Sequence, residues 1–133
     1  MIARIYDDLN SYIKPNEVLI IYGPRRVGKT VLLGNFLSKT TLKYRLENGG
    51  DLTVHEVFAS RNIEILRRYA QGYDLIVIDE AQYIPNVGEN LKLLVDTVSG
   101  IKVIATGSAS FDLSNKVGAP LTGRNTTLIL YHV

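Results

Sequence analysis

Apolar residues near the start of the chain fall at Ile2, Ile5, Tyr6, Leu9 and Ile13, the spacing of one helical face over residues 2–13. Lys14-Pro15-Asn16 ends that helix, and Val18-Leu19-Ile20-Ile21-Tyr22 follows as an apolar, β-branched stretch of strand length. Residues 30–38 return to helical spacing and fade at Ser38-Lys39-Thr40. Thr41 to Leu46 reads as a second strand, and Asn48-Gly49-Gly50 as a break. Thr53 and Glu56 have capping-box spacing for a helical region that reaches about Tyr69, in one piece or two. Leu75-Ile76-Val77-Ile78 is wholly apolar, the mark of a strand buried on both faces. Asn86 with Glu89 is positioned to cap a helix striped by Leu91, Leu94, Val95 and Val98 and ended by Gly100. Strands at Ile101 to Thr106 and Thr126 to Tyr131 complete a count of five. Strands alternating with helices predict a parallel sheet covered on both sides. No repeat, low-complexity tract or interdomain linker interrupts the pattern.

Composition narrows the classes. The 133 residues predict one domain over 1–133 with a real core, and 46% apolar with 21% charged residues is ordinary for a globular protein. A net charge of +2 does not support a nucleic-acid or anionic-membrane partner. Cysteine is absent, which excludes disulfides and thiolate metal sites. No apolar run approaches the ~20 residues that span a bilayer. Arg4, Asp7 and Asp8 are unlike a signal peptide, so a cytoplasmic protein is the default expectation. His55 and His132 have no partners at metal spacing and read as surface or packing residues. Asp7-Asp8 and Arg67-Arg68 read as solvated helix faces. The eight tyrosines do not align on one strand face as an RNA-stacking sheet requires.

The candidate chemistry starts at Gly23-Pro24-Arg25-Arg26-Val27-Gly28-Lys29-Thr30, the pattern G-x-x-x-x-G-K-[ST] between a strand and a helix. A triphosphate needs many donors at close range. Glycines let backbone N–H groups turn inward, and the helix start adds free N–H groups and the positive end of its dipole. Lys29 is the candidate to reach the β- and γ-phosphates, Thr30 to ligate Mg²⁺, and the candidate binding stretch runs from Gly23 to Val31. The bland alternative is a glycine-containing turn with an ordinary surface lysine.

Some fifty residues later, the apolar strand at 75–78 runs into Asp79-Glu80. A carboxylate at the carboxyl end of a buried parallel strand faces the ligand crevice. Asp79 is the candidate Mg²⁺ ligand, through water, and Glu80 the candidate general base for an attacking water. Both acids could instead simply end a strand in solvent. The next strand ends in Thr106-Gly107-Ser108, where Thr106 or Ser108 is the candidate to hold the water or sense the γ-phosphate; a hydroxyl-rich turn is the alternative. Arg124 precedes the last strand and is a candidate for the γ-phosphate, in its own subunit or a neighbour's. The guanine-reading Asn-Lys-x-Asp is missing, since Asn115-Lys116-Val117-Gly118 lacks the aspartate.

Taken together these motifs resemble the AAA-plus superfamily of P-loop ATPases, and more narrowly its archaeal and bacterial members with Gly-Pro-Arg-x-x-Gly-Lys-Thr. The similarity extends to Asp79-Glu80-Ala81-Gln82 with Pro85-Asn86, to Thr106-Gly107-Ser108 with Ser110 behind, and to Leu121-Thr122-Gly123-Arg124. The resemblance implies a three-layer α/β sandwich with a five-stranded parallel sheet of order 5-1-4-3-2. It implies ATP and Mg²⁺ as ligands, with hydrolysis. Members of the superfamily continue through a helical lid and a C-terminal region. Only His132 and Val133 follow Tyr131, so the chain reads as the ATPase core alone, with homo-oligomer or partner contacts expected through the further region. Two other functions stay open: a nucleotide-dependent switch or binding module with little hydrolysis, and a P-loop small-molecule kinase. Glu80 beside Asp79 favours water activation over the kinase.

Overall fold

Strand β1, Val18–Tyr22, is buried at every residue, as its uniform apolar sequence requires. The computed structural model describes residues 9–23, 29–107, 123 and 125–129, with residues 29, 30, 125 and 127–129 described in backbone only. After β1 come helix α1 (Lys29–Lys39), strand β2 (Tyr44–Asn48), helices α2 (Leu52–Phe58) and α3 (Ile63–Ala70), and strand β3 (Leu75–Asp79). A 3₁₀ turn at Ala81–Tyr83 leads to helix α4 (Val87–Thr97), then strands β4 (Lys102–Gly107) and β5 (Asn125–Ile129). The strands form one sheet in the order β2-β3-β4-β1-β5. Every pairing is parallel. Read from the other edge, this is 5-1-4-3-2.

Two cores make the three layers. On one face, Val18, Ile20, Ile76, Ile78, Val103 and Ala105 of the sheet pack with Phe58 of α2, Leu66 and Tyr69 of α3, and Leu91, Leu94 and Val95 of α4. On the other, Leu19, Ile21, Leu75, Val77 and Ile104 pack with Leu32, Leu33, Phe36 and Leu37 of α1 and with Leu9 and Ile13. The alternation of strand residues between the two cores is the period of two that a pleated strand imposes. Residues 9–12 are helical, which fits the expected N-terminal helix; Ile2, Ile5 and Tyr6 lie outside the described residues. Among the described residues no helix is long and apolar enough to cross a membrane.

Several expected boundaries shift, each for a local reason. Strand β2 starts at Tyr44 rather than Thr41 because the preceding residues are engaged elsewhere. The Leu42 N–H donates to Thr40 Oγ1, and the Lys43 N–H donates to Asp74 Oδ2. Helix α2 is capped by Asp51, whose carboxylate accepts from the Thr53 N–H at 2.8 Å, so Thr53 lies inside the helix and the Thr53–Glu56 box does not open it. The helical region beyond is two pieces, separated at Arg61 (φ 53°) and restarted by Asn62, whose side chain accepts from the Glu64 and Ile65 N–H groups. Asn86 does occupy the cap position of α4, but it is left-handed (φ 53°) and its side chain makes no cap bond. Side-chain capping uses an extended cap residue, and Asn86 is not one. Helix α4 ends at Thr97, ahead of Gly100. Gly100 instead supplies the positive φ of 79° for the turn into β4.

Candidate functional site

The period of two along β3 and β4 decides where their last side chains go. Val77 and Ile104 face α1, so Asp79 and Thr106, two residues on, belong to that same face. The register places Ile78 opposite Ala105, and the next pair meets through its side chains: Thr106 Oγ1 donates to Asp79 Oδ1 at 2.5 Å. Thr106 is fully buried. Its hydroxyl also accepts the Glu80 N–H at 3.0 Å. One threonine therefore ties the aspartate carboxylate and the glutamate backbone to the end of β4.

Glu80 itself is left-handed, with φ 57° and ψ 50°. A non-glycine residue there is held by its surroundings rather than by preference. Its carboxylate Oε2 accepts from Gln82 Nε2 at 3.2 Å, and Gln82 is buried. Strand β1 reaches the same edge through register pairs Ile21–Thr106 and Tyr22–Gly107. The Gly23 N–H then donates to the Gly107 carbonyl at 3.2 Å. Helix α1 opens at Lys29, on the face that Asp79 and Thr106 share. The crossover through α1 covers one face of the sheet, while α2, α3 and α4 cover the other, and such divergence opens a crevice at the carboxyl ends of the strands.

A family model described as an AAA domain matches residues 15–133. The chain belongs to the AAA domain family. An uncharacterized protein of Methanocaldococcus jannaschii, MJ1544, is 27% identical to this AAA domain over 124 residues, which is 89% of the chain and 27% of that protein. The chain thus spans about a quarter of the length of the curated relative it matches. Among solved structures, the Walker-type ATPase PABY2304 of Pyrococcus abyssi superposes with a TM-score of 0.61 at 18% identity, covering 99% of this chain and 52% of that one. Domain III of the Thermotoga maritima replication initiation protein DnaA superposes with 0.60 at 18%, covering 97% and 59%. The AAA domain of FIGL-1 in complex with ADP superposes with 0.56 at 15%, covering 96% and 48%. These likenesses show the three-layer α/β fold.

Within this AAA domain, the structure brings together Asp79, Glu80 and Thr106, with Gly23 at the adjoining strand end. Val31 stands exposed on the first turn of α1. Lys29 and Thr30 begin α1, but their side chains are outside the described residues, as are Pro24, Arg25, Arg26, Val27, Gly28, Ser108 and Arg124. Thr106 sits beside both acids. Its hydroxyl donates to Asp79 and accepts from Glu80, which are the contacts of a residue that positions the acids. The sequence marks Gly49 only as part of a break and His55 as a surface or packing residue. The Gly49 N–H donates to the Asp79 carbonyl at 2.6 Å, and His55 Nε2 lies 2.5 Å from the Gly49 carbonyl. The glycine pair after β2 is the available signal in the sequence.

Proposed function

We propose that this chain is the nucleotide-binding core of an ATPase that converts ATP and water to ADP and phosphate. The observation that carries the reading is the Asp79–Thr106–Glu80 arrangement at the strand ends beside the start of α1. The loop from Gly23 to Val31 cradles the phosphates with backbone N–H groups and the Lys29 ammonium. The donor set fits Mg²⁺: Asp79 and Thr30 offer hard oxygens, and Thr106 holds Asp79 by Oδ1. When bound, Mg²⁺ neutralises charge on the β- and γ-phosphate oxygens. Glu80 accepts the proton of the attacking water, with Gln82 fixing one carboxylate oxygen. Ser108 and Arg124 are further candidates for γ-phosphate contacts, with Arg124 acting in the same subunit or across to a neighbour.

The test pairs binding with chemistry. Mg²⁺-ATP at ~100 times its dissociation constant raises stability by about 2.7 kcal/mol. Lys29→Ala removes most of that gain, and Glu80→Gln retains it while single-turnover hydrolysis falls at least ~100-fold. Equal thermal shifts in wild type and Lys29→Ala refute the phosphate site. Undiminished hydrolysis in Glu80→Gln removes Glu80 from the base role.

A further inference from the structure

We propose that Gly49 and His55 form a brace that positions Glu80 from the side opposite Thr106. The inference rests on the reading of Glu80 as the base and adds residues that neither motif contains. Strand β2 ends at Asn48, which lies opposite Asp79 in the register. The next residue, Gly49, donates its N–H to the Asp79 carbonyl at 2.6 Å. Gly49 is buried. A Cβ built on Gly49 would collide with the Glu80 carbonyl oxygen, lie 2.8 Å from the Glu80 carbonyl carbon, and lie 3.1 Å from Ala81 Cα. Gly49 is not among the left-handed glycines, which in the described residues are Gly72, Gly100 and Gly123. Space alone, and not backbone conformation, therefore requires glycine at 49. The β2 turn presses directly against the peptide that follows Glu80.

That turn is itself held. The Asn48 side chain accepts from the Gly50 N–H at 2.7 Å, and the Asn48 carbonyl accepts from the Asp51 N–H at 3.0 Å. His55, half-buried on α2, closes the arrangement. Because a carbonyl only accepts, His55 Nε2 carries the proton and donates to the Gly49 carbonyl. Gly49 is thus gripped on one side by Asp79 and on the other by His55. The Glu80 peptide is caught between Gly49 and the Thr106 hydroxyl, which takes the Glu80 N–H. A left-handed glutamate needs such bracing, and a general base must hold its place to a fraction of an ångström. Gly49 and His55 touch no reacting atom in this scheme; they are positioning residues.

The experiment compares wild type, Gly49→Ala, His55→Ala, His55→Gln and Glu80→Gln, all well below their melting temperatures. It measures ATP affinity, single-turnover hydrolysis and hydrogen exchange of the Glu80 amide. Gly49→Ala is expected to slow hydrolysis ~100-fold and His55→Ala ~10-fold, with ATP affinity within about twofold of wild type. His55→Gln, whose Nε2 also donates, restores most of the rate. In Gly49→Ala and His55→Ala the Glu80 amide exchanges faster; in His55→Gln its protection returns. If Glu80→Gln is impaired while Gly49→Ala and His55→Ala keep the full rate, the brace is refuted and the base stands. If Glu80→Gln hydrolyses normally, the base reading falls, and unchanged Glu80 exchange in the brace variants refutes the brace as well. Should the wild-type chain hydrolyse no ATP, exchange alone decides: unchanged Glu80 protection in both brace variants overturns the proposal.

Discussion

Strands β3 and β2 lie side by side in register, yet they are built on different rules. In β3, Leu75, Ile76, Val77 and Ile78 are all fully buried, covered by α1 on one face and by α2, α3 and α4 on the other. In β2, at the edge of the sheet, exposed and half-buried residues alternate, and Tyr44 and Leu46 face solvent at 39% and 51% exposure. The acids at 79 and 80 follow the strand that packing holds from both sides. A group that must be placed to a fraction of an ångström is best carried by an element whose neighbours cannot move. The edge strand contributes through its backbone instead, at the point where Gly49 meets Asp79 and Glu80.

The largest test of this contrast is a pair of truncations. Ile78→Ala in β3 empties a fully buried site and is expected to cost about 2–5 kcal/mol. Leu46→Ala in β2 removes a side chain that is half in water and is expected to stay within about 0.5 kcal/mol. Urea unfolding measures both. Similar losses would show that β2 is covered in solution, and the contrast between centre and edge would fail.

A smaller effect sharpens what the central strands do at their ends. Thr106→Val keeps the shape but removes the hydroxyl that joins Asp79 and the Glu80 N–H. Leaving these groups without their partner is expected to cost about 1–3 kcal/mol. Thr106→Ser keeps the hydroxyl, so the decisive readout is local. The Glu80 amide loses protection from exchange in the valine variant and retains it in the serine variant. Equal protection in both would remove Thr106 from its positioning role.

The central strands were legible because burial on both faces leaves a simple trace: Val18 to Tyr22 and Leu75 to Ile78 are apolar without interruption. Asp79 and Glu80 stood out against that run for the same reason. The edge was harder to read. Alternation in Tyr44-Arg45-Leu46-Glu47-Asn48 is a weak signal, and side-chain bonds from Thr40 and Asp74 delay the strand in ways that spacing does not encode. The capping contacts depart from the spacing for a related reason. Asp51 outcompetes Thr53 as a cap, and the left-handed Asn86 cannot aim its amide at the helix, both outcomes of backbone geometry. The sequence marks Thr106 as a candidate alongside Ser108, but which groups its hydroxyl serves depends on the β3–β4 register. Gly49 and His55 are brought together with Glu80 by the turn after β2, a proximity that only the folded chain reveals.

The smallest expected effect falls where edge and centre share a core residue. Tyr69 of α3 is buried, packs edge-to-face on Phe58 at 5.1 Å between ring centres, and carries the Arg45 guanidinium of β2 4.0 Å above its ring. Arg45 also donates to the Tyr69 carbonyl at 3.0 Å. The Tyr69 hydroxyl has no hydrogen-bond partner among the described residues. Burial, with the nearby Glu47 charge, pushes the Tyr69 hydroxyl well above the ordinary tyrosine range, against the opposing pull of Arg45. Tyr69→Phe keeps the ring, its contact with Phe58 and its cation–π partner, and removes only the unsatisfied group. At neutral pH the variant is expected to match wild type or gain up to about 1 kcal/mol. The pH dependence gives the sign. Above pH 10.0, the unshifted tyrosine value, an unfolded Tyr69 releases a proton that the folded chain retains. The unfolded state then binds fewer protons, so wild-type stability falls as pH rises, and the variant lacks that loss. Its advantage should therefore widen in alkaline urea titrations. A loss of more than about 1 kcal/mol at neutral pH would mean that the hydroxyl has a partner after all.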